Sequence, residues 1–392
     1  MRAVRIALVG IASCAALGQW SPAAAQAPEF RLTKPEASLS QEFGTVRGVR
    51  ELADGRVLVA DGAGGIVAVV DFANGTADTI GREGRGPGEY RQPDAVFAMP
   101  GDSTLLVDLG NGRLTMIGPD FGFGSTSPIM QGEPRPGMMS IRLPQSTDAK
   151  GRLYYQAAGR MRPDGSLRDS AEILRWNGTT ETEDTVTVVK LEDLEVQRSG
   201  GPNNQSVSMR PKPMSPRDGW AVGWDGRIGI VRAADYHVEW VQADGRSVSG
   251  PPVAYKPVKV GSAEKERYLE EMGRGGLMIG VENENGQVRA SFRRGPGRRA
   301  APQADDLEWP AVMPAFEAAS VYVTPWGELW VARSMPAGSG PTFDVFDSNA
   351  QLVRRIVLPD GRRLVGFGKN AVFAVRIDEF DLNWLERYRV PS

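Results

Sequence analysis

Residues 53–61 read Ala-Asp-Gly-Arg-Val-Leu-Val-Ala-Asp, a tight turn followed by an alternating apolar strand. Asp-Gly supplies the positive φ that a short hairpin turn needs. Successive strand side chains point to opposite faces, so Val57 and Val59 share one face and their neighbours the other. The unit returns as PGDSTLLVD from Pro100, AKGRLYYQA from Ala149, WDGRIGIVR from Trp224, PWGELWVAR from Pro325 and GKNAVFAVR from Gly368. Leu329 and Val331 repeat the alternation in the fifth copy. Six copies spaced by tens of residues, each beginning a group of short strands, predict an all-β, six-bladed β-propeller of four-stranded antiparallel blades.

The wider sequence agrees. Asp-Gly or Asn-Gly pairs begin at 54, 61, 74, 111, 164, 177, 218, 225, 244, 285 and 360, mostly beside β-branched or aromatic residues. An apolar content of 41% with 47 glycines and 28 prolines fits many short strands joined by turns rather than long helices. The turn positions lie about 46, 50, 75, 101 and 43 residues apart, so the third and fourth blades are expected to carry insertions.

Residues 195–217 lack periodicity and read as a long loop. The insertion at 261–318, between the fourth and fifth blade motifs, begins with a predicted helix. Ser262 is its expected N-cap, Glu264 and Glu266 fall in its first turn, Gly273 ends it, and Tyr268, Leu269 and Met272 form its inner face. This insertion is expected to cap one end of the propeller. Ring closure is expected from the last strand, Trp384 to Val390, pairing with a strand drawn from residues 29–49.

The N-terminus carries an export pattern. Arg2 and Arg5 precede an apolar run from Ile6 to Gly18, and Ala25-Gln26-Ala27 offers a small-residue cleavage site. A run of ~13 residues is too short to span a membrane as a lasting helix. Residues 1–27 are therefore expected to be a signal peptide, and 28–392 the propeller, free in the periplasm or outside the cell. The alternative is a lipoprotein, because Ile11-Ala12-Ser13-Cys14 loosely fits a lipidation signal. Cys14 is the single cysteine, so no disulfide is expected. Cleavage removes two of the 46 basic residues and none of the 48 acidic ones, leaving a net charge of about −4. That balance argues against nucleic acid as the partner. A monomer is expected.

The stretch Ile80–Ile117, IGREGRGPGEYRQPDAVFAMPGDSTLLVDLGNGRLTMI, resembles an NHL-type propeller repeat. Gly81, Gly84, Gly86, Gly88, Tyr90, Pro93, Asp108, Asn111 and Arg113 stand at that repeat's positions. The C-terminal GFGKNAVFAVRIDEFDLNWLERYRV is similar to the last blade of exported bacterial six-bladed propellers. The resemblance implies the fold; because such propellers include both binding modules and enzymes, it implies no single activity. No basic run follows each repeat, as in RNA-binding members.

Candidate chemistry is sparse. His237 is the single histidine and sits on a strand, so a structural role is expected. No Gly-x-Ser-x-Gly elbow occurs. Residues 81–89, GREGRGPGE, offer an anion nest or, more simply, an inter-blade turn. Arg289, Arg293, Arg294, Arg298 and Arg299 form the densest positive patch, a candidate partner contact. The acidic groups at 282–285 and 305–308 lack calcium-loop spacing. Trp326 and Trp330 are expected in the core, and the Asn74 and Asn177 sequons in turns. The expected function is a binding module of the bacterial envelope for a protein, peptide or glycan, with no recognisable catalytic set and no cofactor. The alternative is a metal-dependent hydrolase resembling lactonase propellers, with a divalent cation such as calcium at the axial channel.

Overall fold

Each copy of the repeated unit forms the first turn and second strand of one sheet: Val57–Asp61, Thr104–Asp108, Leu153–Gln156, Ile228–Arg232, Leu329–Arg333 and Ala371–Ile377. The computed structural model describes residues 27–135, 138–159, 162, 166–199, 206–274, 276–284, 287–295 and 303–390. Its sheets make a six-bladed β-propeller of mostly four-stranded antiparallel blades. The inner strands around the axis are, in ring order, Val46–Glu51, Pro93–Ala98, Ser146–Thr147, Gly219–Val222, Phe316–Val323 and Arg362–Phe367. The recurring turn glycine has a physical cause. Gly55 and Gly226 sit at φ 88° and 84°, where a side chain would be strained.

Alternation decides the packing. Val57 and Val59 face the seam with blade 6, while Leu58 and Ala60 face blade 2. The described apolar core divides into six clusters, one for each seam of the ring. Trp330 is fully buried in the seam between blades 5 and 6, with Trp326 packed partly against it. Both indole N–H groups donate to Glu328 Oε2, at 3.2 and 2.7 Å, and Arg354 donates to the same oxygen at 2.8 Å.

The residues that carry the NHL resemblance build one joint. The buried Tyr90 hydroxyl donates to the Ile80 carbonyl (2.8 Å) and accepts from the Val67 amide (3.0 Å). Asn111 donates to the Asp108 carboxylate (2.7 Å) and to the Gly84 carbonyl (2.8 Å). Arg113 donates to the carbonyls of Gly86 and Glu89.

The ring closes as expected. Ala37–Phe43 pairs antiparallel with Asn383–Arg389, placing Ala37 opposite Arg387 and Phe43 opposite Asn383. The Glu36 carboxylate accepts from Arg387 (2.6 Å) and Arg389 (3.2 Å). Just upstream, Glu29–Arg31 runs parallel to Leu352–Val357 and adds a fifth strand to blade 5. One N-terminal segment therefore joins the last two blades.

Two local readings need correction. Residues 195–217 do not form a loop throughout. Leu194–Ser199 and Ser206–Pro211 pair as a hairpin, cross-braced by Arg210 and Glu195 at 2.8 Å. Its strands are too short for alternation to stand out. The helix α1 spans Ser262–Gly273, but its N-cap is Gly261, whose amide donates to Glu264 Oε2 at 3.0 Å. No residue of α1 is buried, and Met272 lies 39% exposed. Of its apolar side chains Tyr268 and Leu269 turn inward, Tyr268 packing edge-on against Trp309 at 5.5 Å. The helix rests on the propeller's rim, so its apolar stripe is narrow.

Phe43 is 1% exposed and fills the seam beside the closing strand. Phe43→Ala is expected to cost about 3–5 kcal/mol in urea unfolding. Phe380→Ala, at a side chain 74% exposed, is expected to change it by less than about 0.5 kcal/mol.

Candidate functional site

The inner strands leave their regular pairing at one end of the channel, the upper mouth, where consecutive blades are connected and the insertions project. Arg47 and Gly48 fall between the pairs Val46–Asp61 and Val49–Val59. Asp94 falls between Pro93–Asp108 and Ala95–Val107, and Glu317 to Ser320 between Phe316–Arg333 and Val321–Val331. Such bulges turn a strand and re-aim its side chains. Here they gather charged groups from several blades. Arg47 of blade 1 feels the charges of Asp94 on blade 2, Arg363 on blade 6 and Arg294 in the insertion, with Tyr322 of blade 5 also acting on it.

The contacts within this cluster are uneven. Asp94 accepts two bonds from Arg294, from Nε at 2.6 Å and Nη2 at 3.0 Å. Gln92 fixes that arginine's backbone, donating to its carbonyl (2.7 Å) and accepting from its amide (3.0 Å). Arg47 approaches Asp94 only to 3.9 Å, and its side chain is 43% exposed. Arg363 Nη2 donates to two neutral acceptors, the Val46 carbonyl (2.7 Å) and Asn383 Oδ1 (3.0 Å). Among the described residues Arg363 has no carboxylate partner. Tyr322 donates to the Leu364 carbonyl at 3.3 Å.

The insertion lies across this mouth. It leaves the ring after blade 4, yet Phe292 of its hairpin is buried in the seam between blades 2 and 3. Arg274, at the end of α1, pairs with Asp381 of blade 6 at 3.1 Å, and Glu264 accepts from the Ala337 amide of blade 5. The cluster is thus roofed by protein while remaining open to solvent.

That enclosure shifts protonation. Burial, then the Glu271 charge, pushes the Glu317 carboxyl up to about 7, with Arg267 opposing. Burial, reinforced by Arg294, lowers Arg47 from its ordinary value. Burial also lowers Arg363, partly opposed by Tyr322. The site therefore holds positive charge at some cost, a common mark of functional sites.

At the opposite mouth a cavity of about 710 Å³ is lined by residues of all six blades, among them Arg50, Thr147, Trp224 and Lys369. Its buried arginine is already paired. Arg50 donates to Asp102 at 2.5 Å, and its unpartnered Nε and Nη1 are sealed off from solvent. Glu51 accepts from the Lys369 amide at 2.6 Å. The upper mouth is the better candidate because its cations exceed its anions.

Among the described members of the predicted arginine patch, only Arg294 joins this site, as a clamp on Asp94 rather than a free contact. Arg293 is exposed in the same strand. The side chain of Arg289 and the whole of Arg298 and Arg299 lie outside the described residues. His237 stands 2.5 Å from Asp235 Oδ1 at a strand end, away from the channel cluster. In the 81–89 loop the Glu89 carboxylate accepts from the Gly86 amide (2.7 Å) and from Arg82 (2.9 Å). The loop's own acid fills the nest. Asp306 accepts from the Gln303 amide, and Glu308 pairs with Lys212 at 3.1 Å. Among the described residues no group of three or more histidine, cysteine, aspartate or glutamate side chains is placed to hold a metal ion.

No protein-family model matches the chain, and no curated protein matches it by sequence. Solved structures resemble it in architecture. A candidate exported protein of Bacteroides fragilis is 14% identical at a TM-score of 0.44, over 92% of this chain and 94% of that one. A gluconolactonase of Xanthomonas campestris is 11% identical at 0.39, over 91% of each chain. The calcium-binding protein regucalcin of Agrobacterium tumefaciens is 11% identical at 0.35, over 93% and 97%. Likenesses this distant say nothing of chemistry. Among the described residues no helix is long and apolar enough to cross a membrane.

Glu317 gives a pH test. A carboxyl whose folded pKa lies above its unfolded value opposes folding only once it must ionise, so the penalty is absent in acid and complete above about 7. Glu317→Gln is expected to melt about 1–2 °C higher than the parent at pH 8 and at the same temperature at pH 4.5; the gain is small because the side chain stays open to solvent.

Proposed function

We propose that the protein is an exported binding module of the bacterial envelope that takes its ligand at the roofed upper mouth of the axial channel. The carrying observation is the convergence there of Arg47, Asp94, Tyr322 and Arg363, from four blades, beneath Arg294 of the insertion. A rigid ring bearing a covered, polar recess is a common arrangement for small-ligand recognition. The N-terminal export pattern supports placement outside the cytoplasm. A cation-dependent hydrolase is less well supported. Calcium takes six to eight oxygen ligands, whereas Asp94 is already bound by a guanidinium and the Glu317 carboxyl, pushed up to about 7, is only partly ionised at neutrality.

The recess can be plugged without touching the seams. Ala319 is exposed within the bulge of the blade 5 inner strand. In thermal-shift screening against monosaccharides, short peptides and small acids, compounds that raise the melting temperature of the parent are expected to lose that effect in Ala319→Trp. Hits that survive the plug would place binding elsewhere on the propeller.

A further inference from the structure

The upper mouth also indicates what kind of group it receives. We infer that the ligand presents an oxyanion, a carboxylate or a phosphate group, gripped between Arg47 of blade 1 and Arg363 of blade 6. This rests on the upper mouth being the binding site, and goes further by naming the chemistry.

Three guanidinium groups, Arg47, Arg294 and Arg363, act within one recess, where Asp94 is the carboxylate that contacts them and Glu317 is a second carboxyl that ionises only around neutrality. Arg294 takes that carboxylate with two short bonds. Arg47, at 3.9 Å, has only a weak electrostatic share of it. Arg363 spends its Nη2 on a carbonyl and an amide oxygen, neither of them charged. Two cations from adjacent blades are thus uncompensated in a partly enclosed space, where a charge without a partner is costly. An oxyanion between them would restore the balance, and arginine's planar fork suits carboxylate and phosphate oxygens.

The surrounding groups add no net charge in acid and supply a modulator. On blade 5, Glu317 and Tyr322 face the recess. From α1 come Arg267 and Glu271, 3.9 Å apart, and Arg274, which pairs with Asp381. Those helix charges cancel among themselves. Glu317 is the group whose charge changes near neutrality. Ionised, it repels an entering anion; protonated, it does not. Affinity for the oxyanion therefore rises as pH falls through about 7.

The test is isothermal titration of the 28–392 chain with D-galacturonate, its neutral counterpart D-galactose, and inorganic phosphate. At least one of the two anions is expected to bind and galactose to bind at least about tenfold more weakly; the tighter anion identifies the source of the charged group. Arg47→Met, at an exposed side chain with no close partner, is expected to fold as the parent does and to weaken the anion about tenfold or more, with Arg47→Lys recovering part of the loss. For galacturonate, which carries one charge throughout this range, binding is expected to be about fivefold tighter at pH 6 than at pH 8, and Glu317→Gln to remove that difference. If neither anion binds at millimolar concentration, or Arg47→Met binds as well as the parent, the oxyanion assignment is overturned. The Ala319→Trp plug separates the two levels. Neutral ligands lost on plugging, with no anion bound, would overturn the charge argument alone. An anion that binds the plugged variant unchanged would overturn the mouth itself.

Discussion

The pairing of Ala37–Phe43 with Asn383–Arg389 is the contact on which the rest of the structure depends. A propeller blade buries its faces only against its neighbours, so an open ring would expose two apolar faces and a strand edge. In this chain the closing strand comes from the N-terminus and completes the blade that the C-terminus begins. Leu39 and Phe43 bring it into the same seam as Val57, Val59 and Phe373. With a single cysteine, Cys14, the chain has no disulfide to share that load, which falls on strand pairing and seam packing.

Closure also sets the geometry of the recess. Arg47 is the second residue of the blade 1 inner strand and Arg363 the second of blade 6, so these two guanidinium groups become neighbours only because the ring is shut. Arg363 reinforces the junction, its Nη2 bonding the first carbonyl of blade 1 and Asn383 of the closing sheet. One residue thus serves both the joint and the site. The bulges supply the rest. By leaving Arg47, Asp94 and Glu317 out of regular pairing, they free these side chains from the seams, where a charge would be costly. The insertion then lowers access to water, which strengthens each electrostatic interaction beneath it.

Much of the fold was legible in the sequence because its cause is local. The turn glycine at positive φ and the alternating strand that follows it are features of a few consecutive residues, and they repeat. The closing strand could be anticipated on the single ground that an edge needs a partner. The strand pair within 194–211 was not legible because six-residue strands on either side of a Gly/Pro/Asn-rich stretch leave little periodicity. The helix was visible through Glu264 and Gly273, but the identity of its N-cap depended on backbone geometry and its inward face on a propeller rim that no local pattern describes. The recess was not legible. Its residues come one or two to a blade, separated by tens or hundreds of positions, and each stands alone in its own strand. Their shared signal, a charged residue at the start of an otherwise apolar inner strand, has meaning only once the ring is known. The arginine cluster drew attention through density, yet its described inward member, Arg294, matters through Asp94, 200 residues away.

Ring closure, on this view of the molecule, creates a cationic recess that accepts an anion. The most direct measurement is a crystal structure of the 28–392 chain with the tighter-binding of galacturonate and phosphate. Oxyanion oxygens are expected within hydrogen-bond distance of both Arg47 and Arg363, with the Asp94–Arg294 clamp intact beside them. An oxyanion seated at the opposite mouth or on the outer surface, with Arg47 and Arg363 untouched, would contradict it.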